Sequence, residues 1–360
     1  MKIAIVGATG LVGRKTLEVL TQKNIKAKYI LFASKNSKGK KIDFLGKQYK
    51  VNQLCEKQIE QNPVDYVLFC TSTSVSKQYV HKFIKKGATV IDFSSEYRKT
   101  KAPLVVPEIN IQKAKGKKLV CNPNCSSIGA VVFLHQIHKK YGLEKLVIST
   151  YQAVSGAGKN ALDDLHSNAE TLKKFDYPIK DNLLCHIGEL NDKKYSTEEQ
   201  KMRYEIRKIL QDKSIKISAT CVRVPITVCH GETIWFKTKS NCTTKQIYAA
   251  LKQSAGVKIV DDYPHFPMPI ECRGQDDVFV GRVRKDQDDK NCFFAYIVSD
   301  NLRKGASANA VQILEYLIKN GENHGNIWTK LCCSCNTIQR WQNRFLRNAK
   351  VDRISDSRKK

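Results

Sequence analysis

The sequence predicts an α/β fold: an N-terminal, Rossmann-like doubly wound sheet followed by an α+β second domain. Three observations predict it. Apolar runs alternate with helical stretches through the first part of the chain, which argues for parallel strands joined by crossover helices. A glycine-rich turn, Gly7-Ala8-Thr9-Gly10-Leu11-Val12-Gly13, joins the first strand directly to the first helix. From about residue 143 the pattern changes to longer β-rich stretches.

The first domain takes its strands from the apolar runs at 2–6, 29–33, 64–70 and 88–92, with helices such as 11–22 and 75–86 between them. The second takes Leu146 to Val154, Ile217 to Val224, Thr233 to Lys239 and Phe293 to Val298 as strands, with helices around 157–175 and 197–211. Residues 306–319 carry Val311, Leu314 and Ile318 at helical spacing. The domains expected are therefore 1–122, to which a helix within 301–320 returns, and 123–300. Gly321-Glu322-Asn323-His324-Gly325 then breaks the pattern, and residues 321–360 form an atypical basic tail containing Cys332, Cys333 and Cys335. With His324 these could supply four metal ligands, but two cysteines are adjacent and no CxxC is present, so no metal is expected.

The opening apolar run stops at Gly7 before a signal-peptide core forms, and no later run approaches the roughly 20 residues a membrane span requires. Thirteen cysteines without scaffold-like spacing fit a reducing compartment, and a cytoplasmic protein is expected. Lys and Arg number 62 against 34 Asp and Glu, a net charge of +28. The lysines are spread along the whole chain with no arginine-rich arm, so neither nucleic acid nor membrane is expected as a partner.

The Gly7 turn has the context of a dinucleotide site. Its glycines let backbone N–H groups approach a pyrophosphate, and the helix N-terminus adds its positive end. Gly7, Thr9, Gly10, Leu11, Val12 and Gly13 are the candidate contacts, with GxxGxxG spacing. After the second strand, Ala33-Ser34-Lys35-Asn36-Ser37-Lys38 contains no acid to hold a ribose 2′-hydroxyl. Ser34, Lys35 and Ser37 suit a 2′-phosphate, and NADP(H) is the expected cofactor.

Asn122-Pro123-Asn124-Cys125-Ser126-Ser127 precedes a helical apolar pattern through Val131, Val132, Leu134 and Ile137. Cys125 is thereby placed at a helix N-terminus, where the dipole and free N–H groups favour a thiolate and can stabilise an oxyanion.

In this setting the stretch resembles the nucleophile motif of aspartate-β-semialdehyde dehydrogenases. The similarity extends over about residues 1–320 through Asp92-Phe93-Ser94-Ser95 with Arg98, Val105-Val106-Pro107-Glu108-Ile109-Asn110, Tyr151-Gln152-Ala153-Val154-Ser155-Gly156-Ala157-Gly158 and Asp300-Asn301-Leu302-Arg303-Lys304-Gly305-Ala306. The resemblance implies that the second domain is catalytic and dimerising, that the protein is a homodimer, and that His230 is the acid/base for Cys125. It implies further that Gln152 orients the acyl group, Arg223 holds a substrate carboxylate, Glu198 the substrate amine, and Arg98, Asn124 and Lys201 the phosphate. Ser155, Gly156 and Asn301 are implied as cofactor contacts. Arg223 and His230 would stand about 20 Å apart on a straight strand, so the chain must turn between them.

The chemistry implied is NADPH-dependent reductive dephosphorylation of L-4-aspartyl phosphate to L-aspartate 4-semialdehyde through a Cys125 thioester, in aspartate-family amino-acid biosynthesis. N-acetyl-γ-glutamyl-phosphate reductase is the nearest rival, but its motif has Gly before the cysteine and Tyr-Pro after it. A basic nucleic-acid-binding protein on a dehydrogenase fold is the rival from another class.

Overall fold

The computed structural model describes residues 1–166 and 172–320. The tail 321–360, with His324, Cys332, Cys333 and Cys335, lies outside the described residues. Strands are β1 Lys2–Val6, β2 Lys28–Ala33, β3 Lys41–Phe44, β4 Lys47–Gln53, β5 Tyr66–Phe69, β6 Thr89–Asp92, β7 Leu119–Cys121, β8 Leu143–Ala153, β9 Lys216–Val224, β10 His230–Thr238, β11 Val257–Ile259, β12 Val278–Lys285 and β13 Cys292–Ser299. Helices are α1 Leu11–Gln22, α2 Glu56–Gln61, α3 Thr73–Lys85, α4 Pro107–Asn110, α5 Cys125–Tyr141, α6 Lys159–His166, α7 Thr197–Leu210, α8 Thr244–Lys252, α9 Pro269–Cys272 and α10 Ala308–Asn320.

The first sheet has the order β3-β4-β2-β1-β5-β6-β7, parallel except for the β3–β4 hairpin. Strands buried on both faces read as unbroken apolar runs, and β1 and β5 do so. Ile3 and Ile5 enter a core completed by Leu17 and Leu20 of α1 and by Val311, Leu314 and Leu317 of α10. Ala4 and Val6 enter the opposite core, with Ile59, Val80 and Phe83 of α2 and α3. The chain leaves β1 for β2 on one side and returns to β5 on the other, so the strand order reverses where the Gly7 turn begins. Ligand crevices of open α/β sheets lie at such a point.

The second sheet, β11-β12-β13-β10-β8-β9, is mixed. One face packs on α5, α7 and α8, whose Ile128, Val132, Met202, Ile206, Ile247 and Leu251 build its core. The other face leaves Val147 and Tyr151 exposed. Residues Met1–Ile318 pack as one compact unit. No helix among the described residues is long and apolar enough to cross a membrane.

The hairpin β3–β4 was not expected from the sequence. Ile42, Phe44 and Val51 face inward, but Lys41, Lys47 and Lys50 hide the alternation, while Leu45 and Gly46 at positive φ form its tight turn. The helix expected over 157–175 ends its described part at His166. Residues 172–175 are not helical. Asp164 accepts instead from the amides of Lys173, Lys174 and Phe175, drawing the chain into a bend.

Candidate active site

Cys125 is the first residue of α5, and Asn124 is its N-cap, accepting at Oδ1 from the amides of Ser126 at 3.0 Å and Ser127 at 3.2 Å. Such a cap contributes about 1 kcal/mol to the helix. It also engages two of the helix-start amides that the sequence leaves free.

His230 opens β10, and its Nε2 lies 3.2 Å from Cys125 Sγ. The five residues between β9 and β10 cross the end of β8, with Cys229 at φ +77°, and this is the turn that brings Arg223 and His230 to one place. Gly156 shows how close they are: a Cβ there would lie 3.0 Å from Arg223 Nη1 and 3.5 Å from His230 Nε2. The backbone N–H of Ala153 donates to His230 Nδ1 at 3.0 Å. A backbone amide can only donate, so Nδ1 is unprotonated and the ring's proton is on Nε2, facing the sulfur.

Burial, and then the Arg223 guanidinium, push the His230 pKa down to about 3, against an opposite pull from Glu198. Burial and Glu198 push the Cys125 thiol up to about 12, opposed by Arg223, the Ser126 amide and Arg98. The thiolate expected from the helix start alone is therefore outweighed by desolvation, and the resting pair is a thiol beside a neutral imidazole.

A buried polar network surrounds the pair. Glu198 and Lys201 share a face of α7 and pair at 3.1 Å. Glu198 Oε1 accepts from Asn124 Nδ2 at 2.7 Å and from Gln152 Nε2 at 3.4 Å. Gln152 donates also to Thr150 Oγ1, and Arg223 Nη1 donates to Ala153 O at 2.7 Å. Arg98 pairs with Glu205 at 2.9 Å and donates to Phe93 O. A cleft of about 700 Å³ opens beside Arg98, Lys201, Tyr204 and Glu205.

The glycine turn lies between β1 and α1. Gly7 is at φ +84°, and a Cβ on it would lie 2.2 Å from Cys70 O; one on Gly13 would lie 2.1 Å from Gly7 O. Leu11, Val12 and Gly13 begin α1, where the first amides have no intrahelical acceptor and suit a bound pyrophosphate. Thr9 Oγ1 donates to buried Ser37 Oγ at 3.3 Å, tying the turn to the acid-free end of β2, where Ser34 and Lys35 are exposed. These residues fit a dinucleotide with a 2′-phosphate.

Asn301 does not stand free for a ligand: Nδ2 donates to Ser155 Oγ at 2.9 Å, and Oδ1 accepts from the Cys229 amide at 2.9 Å. It locks the Ser155 turn to the residue before His230. Just beyond it a π-helical turn, Arg303–Ser307, joins α1 to Cys125. Ser307 Oγ accepts from Thr16 Oγ1, and a Cβ on Gly305 would lie 2.8 Å from Cys125 Cβ.

Sequence reasoning missed Glu205, Ala153 and Gly305. Glu205 carried a signal, since it lies seven residues after Glu198 on the buried stripe of Met202, Ile206 and Ile209. The Ala153 amide carried none.

A doubly wound domain with a dinucleotide turn, joined to a mixed-sheet domain that pairs a helix-start cysteine with a histidine, defines a nicotinamide-dependent semialdehyde dehydrogenase. The semialdehyde dehydrogenase NAD-binding domain matches residues 2–117, and the semialdehyde dehydrogenase dimerisation domain matches residues 134–304. Aspartate-semialdehyde dehydrogenase of Aquifex aeolicus is 43% identical over 336 residues, covering 89% of this chain and 98% of that protein. The Bacillus subtilis enzyme is 39% identical over 342 residues, with the same coverage of each. A crystal structure of aspartate semialdehyde dehydrogenase II from Vibrio cholerae superposes with a TM-score of 0.84 at 35% identity, covering 89% of this chain and 99% of that one. The chain belongs to the aspartate-semialdehyde dehydrogenase family.

Proposed function

We propose that the chain catalyses NADPH-dependent reductive dephosphorylation of L-4-aspartyl phosphate to L-aspartate 4-semialdehyde and phosphate, in the biosynthesis of aspartate-family amino acids. The observation that carries this reading is Cys125 Sγ at 3.2 Å from His230 Nε2, at the start of a helix capped by Asn124.

The residue roles are those the resemblance implies, and the geometry supports them. Arg223 receives the α-carboxylate and Glu198 the amine; Arg98, Asn124 and Lys201 receive the phosphate, and Gln152 orients the acyl group. Cys125 forms the S–C bond as the C–O bond to phosphate breaks, and the thiol proton leaves with phosphate as HPO₄²⁻, so a neutral thiol balances the step. When bound, NADPH supplies the hydride that converts the thioester to the semialdehyde level. Gly7, Thr9, Gly10, Leu11, Val12 and Gly13 hold its pyrophosphate, Ser34, Lys35 and Ser37 its 2′-phosphate, and Ser155, Gly156 and Asn301 shape the crevice between cofactor and sulfur. His230, read from the resemblance as the acid/base, rests with Nε2 protonated and so acts by donating a hydrogen bond from Nε2–H to the sulfur at rest and to the oxyanion during reduction.

Residues 1–122 with the returning helix serve cofactor binding in this reading, and 123–300 serve catalysis and dimerisation. The homodimer forms through the open face of the second sheet, where Val147 and Tyr151 are exposed, and the protein works in the cytoplasm. The N-acetyl-γ-glutamyl-phosphate reductase reading is not favoured, because Asn124 and Ser126-Ser127 flank the nucleophile.

The test is phosphate-dependent oxidation of aspartate semialdehyde by NADP⁺, run beside N-acetylglutamate semialdehyde. Turnover of the first alone is expected; preference for the second would overturn the assignment. Cys125→Ala is expected to abolish turnover while NADPH fluorescence titration changes little, and activity near the parent level would remove Cys125 from the mechanism.

A further inference from the structure

Glu205 is 1% exposed on the face of α7 that also carries Glu198 and Lys201, and the mechanism above does not use it. Its two oxygens serve different partners. Oε1 accepts from Arg98 Nη1 at 2.9 Å, and Oε2 accepts from the Asn124 backbone N–H at 2.7 Å. Arg98 lies in the loop after β6 of the first sheet, while Asn124 caps the helix that carries the nucleophile. One carboxylate therefore sets the position of both.

Arg98 has capacity left for a ligand. Nη1 is taken by Glu205 and Nη2 donates to Phe93 O at 2.6 Å, but its buried Nε has no partner among the described residues. A buried guanidinium N–H without an acceptor is costly, so an anion bound at that edge relieves the cost. Arg98 also lines the cleft shared with Lys201 and Glu205.

We propose that Glu205 is the positioning residue for phosphate, orienting Arg98 and the Asn124–Cys125 helix start as one frame so that phosphate held by Arg98 is registered against the sulfur. This rests on the reading of Arg98 as a phosphate contact. Only a carboxylate suits the position: two donors converge on it, and an amide of the same size offers one acceptor oxygen and sets its NH₂ against a second N–H.

The full chain would be assayed in the oxidative direction with inorganic phosphate varied, as parent, Arg98→Ala, Glu205→Gln and the double variant. In both single variants the KM for phosphate is expected to rise at least about tenfold, with the KM for aspartate semialdehyde within about twofold. The double variant is expected to fall well short of the product of the two single effects, since the two side chains act largely as one unit. An unchanged phosphate KM in Glu205→Gln beside a raised one in Arg98→Ala overturns the inference and leaves the role of Arg98 standing. An unchanged KM in Arg98→Ala overturns that underlying reading, and the inference with it. Additive losses accompanied by a lower melting temperature reduce Glu205 to a structural role and also overturn it. If Glu205→Gln does not fold, Glu205→Asp, too short to reach both donors, is read in the same way.

Discussion

Cys125 and His230 meet as neutral groups because the same burial acts on both in opposite directions, raising the thiol to about 12 and lowering the imidazole to about 3. Alkylation of Cys125 by iodoacetamide is therefore expected to accelerate with pH through the range 6 to 9 without a plateau. A plateau near neutrality would mean that a stabilised thiolate exists at rest. The stability consequence has a definite sign. Between pH 6.5 and about 3 the unfolded chain binds a proton at this histidine that the fold refuses, so acidification costs up to about 1.4 kcal/mol per pH unit. His230→Asn should escape that slope, and denaturation curves of variant and parent should diverge as pH falls from 7 to 5; parallel curves would argue against the depressed pKa. ¹⁵N NMR of the labelled imidazole should find Nδ1 unprotonated, as the Ala153 amide requires. The placement of Cys125 at a helix start could be read from the sequence because its signal is local, a cap residue and polar neighbours before an apolar helix. The Ala153–His230 bond spans 77 positions and uses a backbone group, so no side-chain pattern announces it.

The glycine turn separates what an element needs from what it tolerates. Gly13 has Gly7 O at 2.1 Å from its missing Cβ, whereas a Cβ on Gly10 would meet only Gly7 O at 3.4 Å, an ordinary contact. Gly13→Ala is expected to weaken NADPH binding at least about tenfold by forcing helix and turn apart, and Gly10→Ala to change it less than about threefold. Equal effects, measured by fluorescence titration, would show that the turn is not the cofactor's cradle. Parallel strands such as β1 and β5 were legible because burial on both faces writes an unbroken apolar run. The β3–β4 hairpin was not, because the solvated Lys41, Lys47 and Lys50 break its apolar alternation, and β12 was obscured in the same way by Arg282, Arg284 and Lys285. Glu205 stayed hidden for a related reason: its hydrogen-bond partners are 107 and 81 positions away, and an acid on a helix is normally solvated.

The whole molecule exposes apolar residues on one side of a sheet whose other side is core. If that face is the dimer seam, Tyr151→Lys should shift the protein from dimer to monomer in sedimentation velocity, by placing like charges across a two-fold axis. A dimer that survives at micromolar concentration would locate the seam elsewhere. The charge of +28 shows how little composition constrains identity, because the assignment rests on a few buried residues that such a count cannot weigh. The order in which the chain fills its two cores also sets a sequence of events at the ribosome. Helix α10 closes the core of Ile3, Ile5, Leu31 and Leu68, yet it is translated only after the entire second sheet. At about 5–20 residues per second, that apolar face waits some ten seconds or more for its last cover. During that interval the newborn N-terminal half presents the surface that chaperones bind.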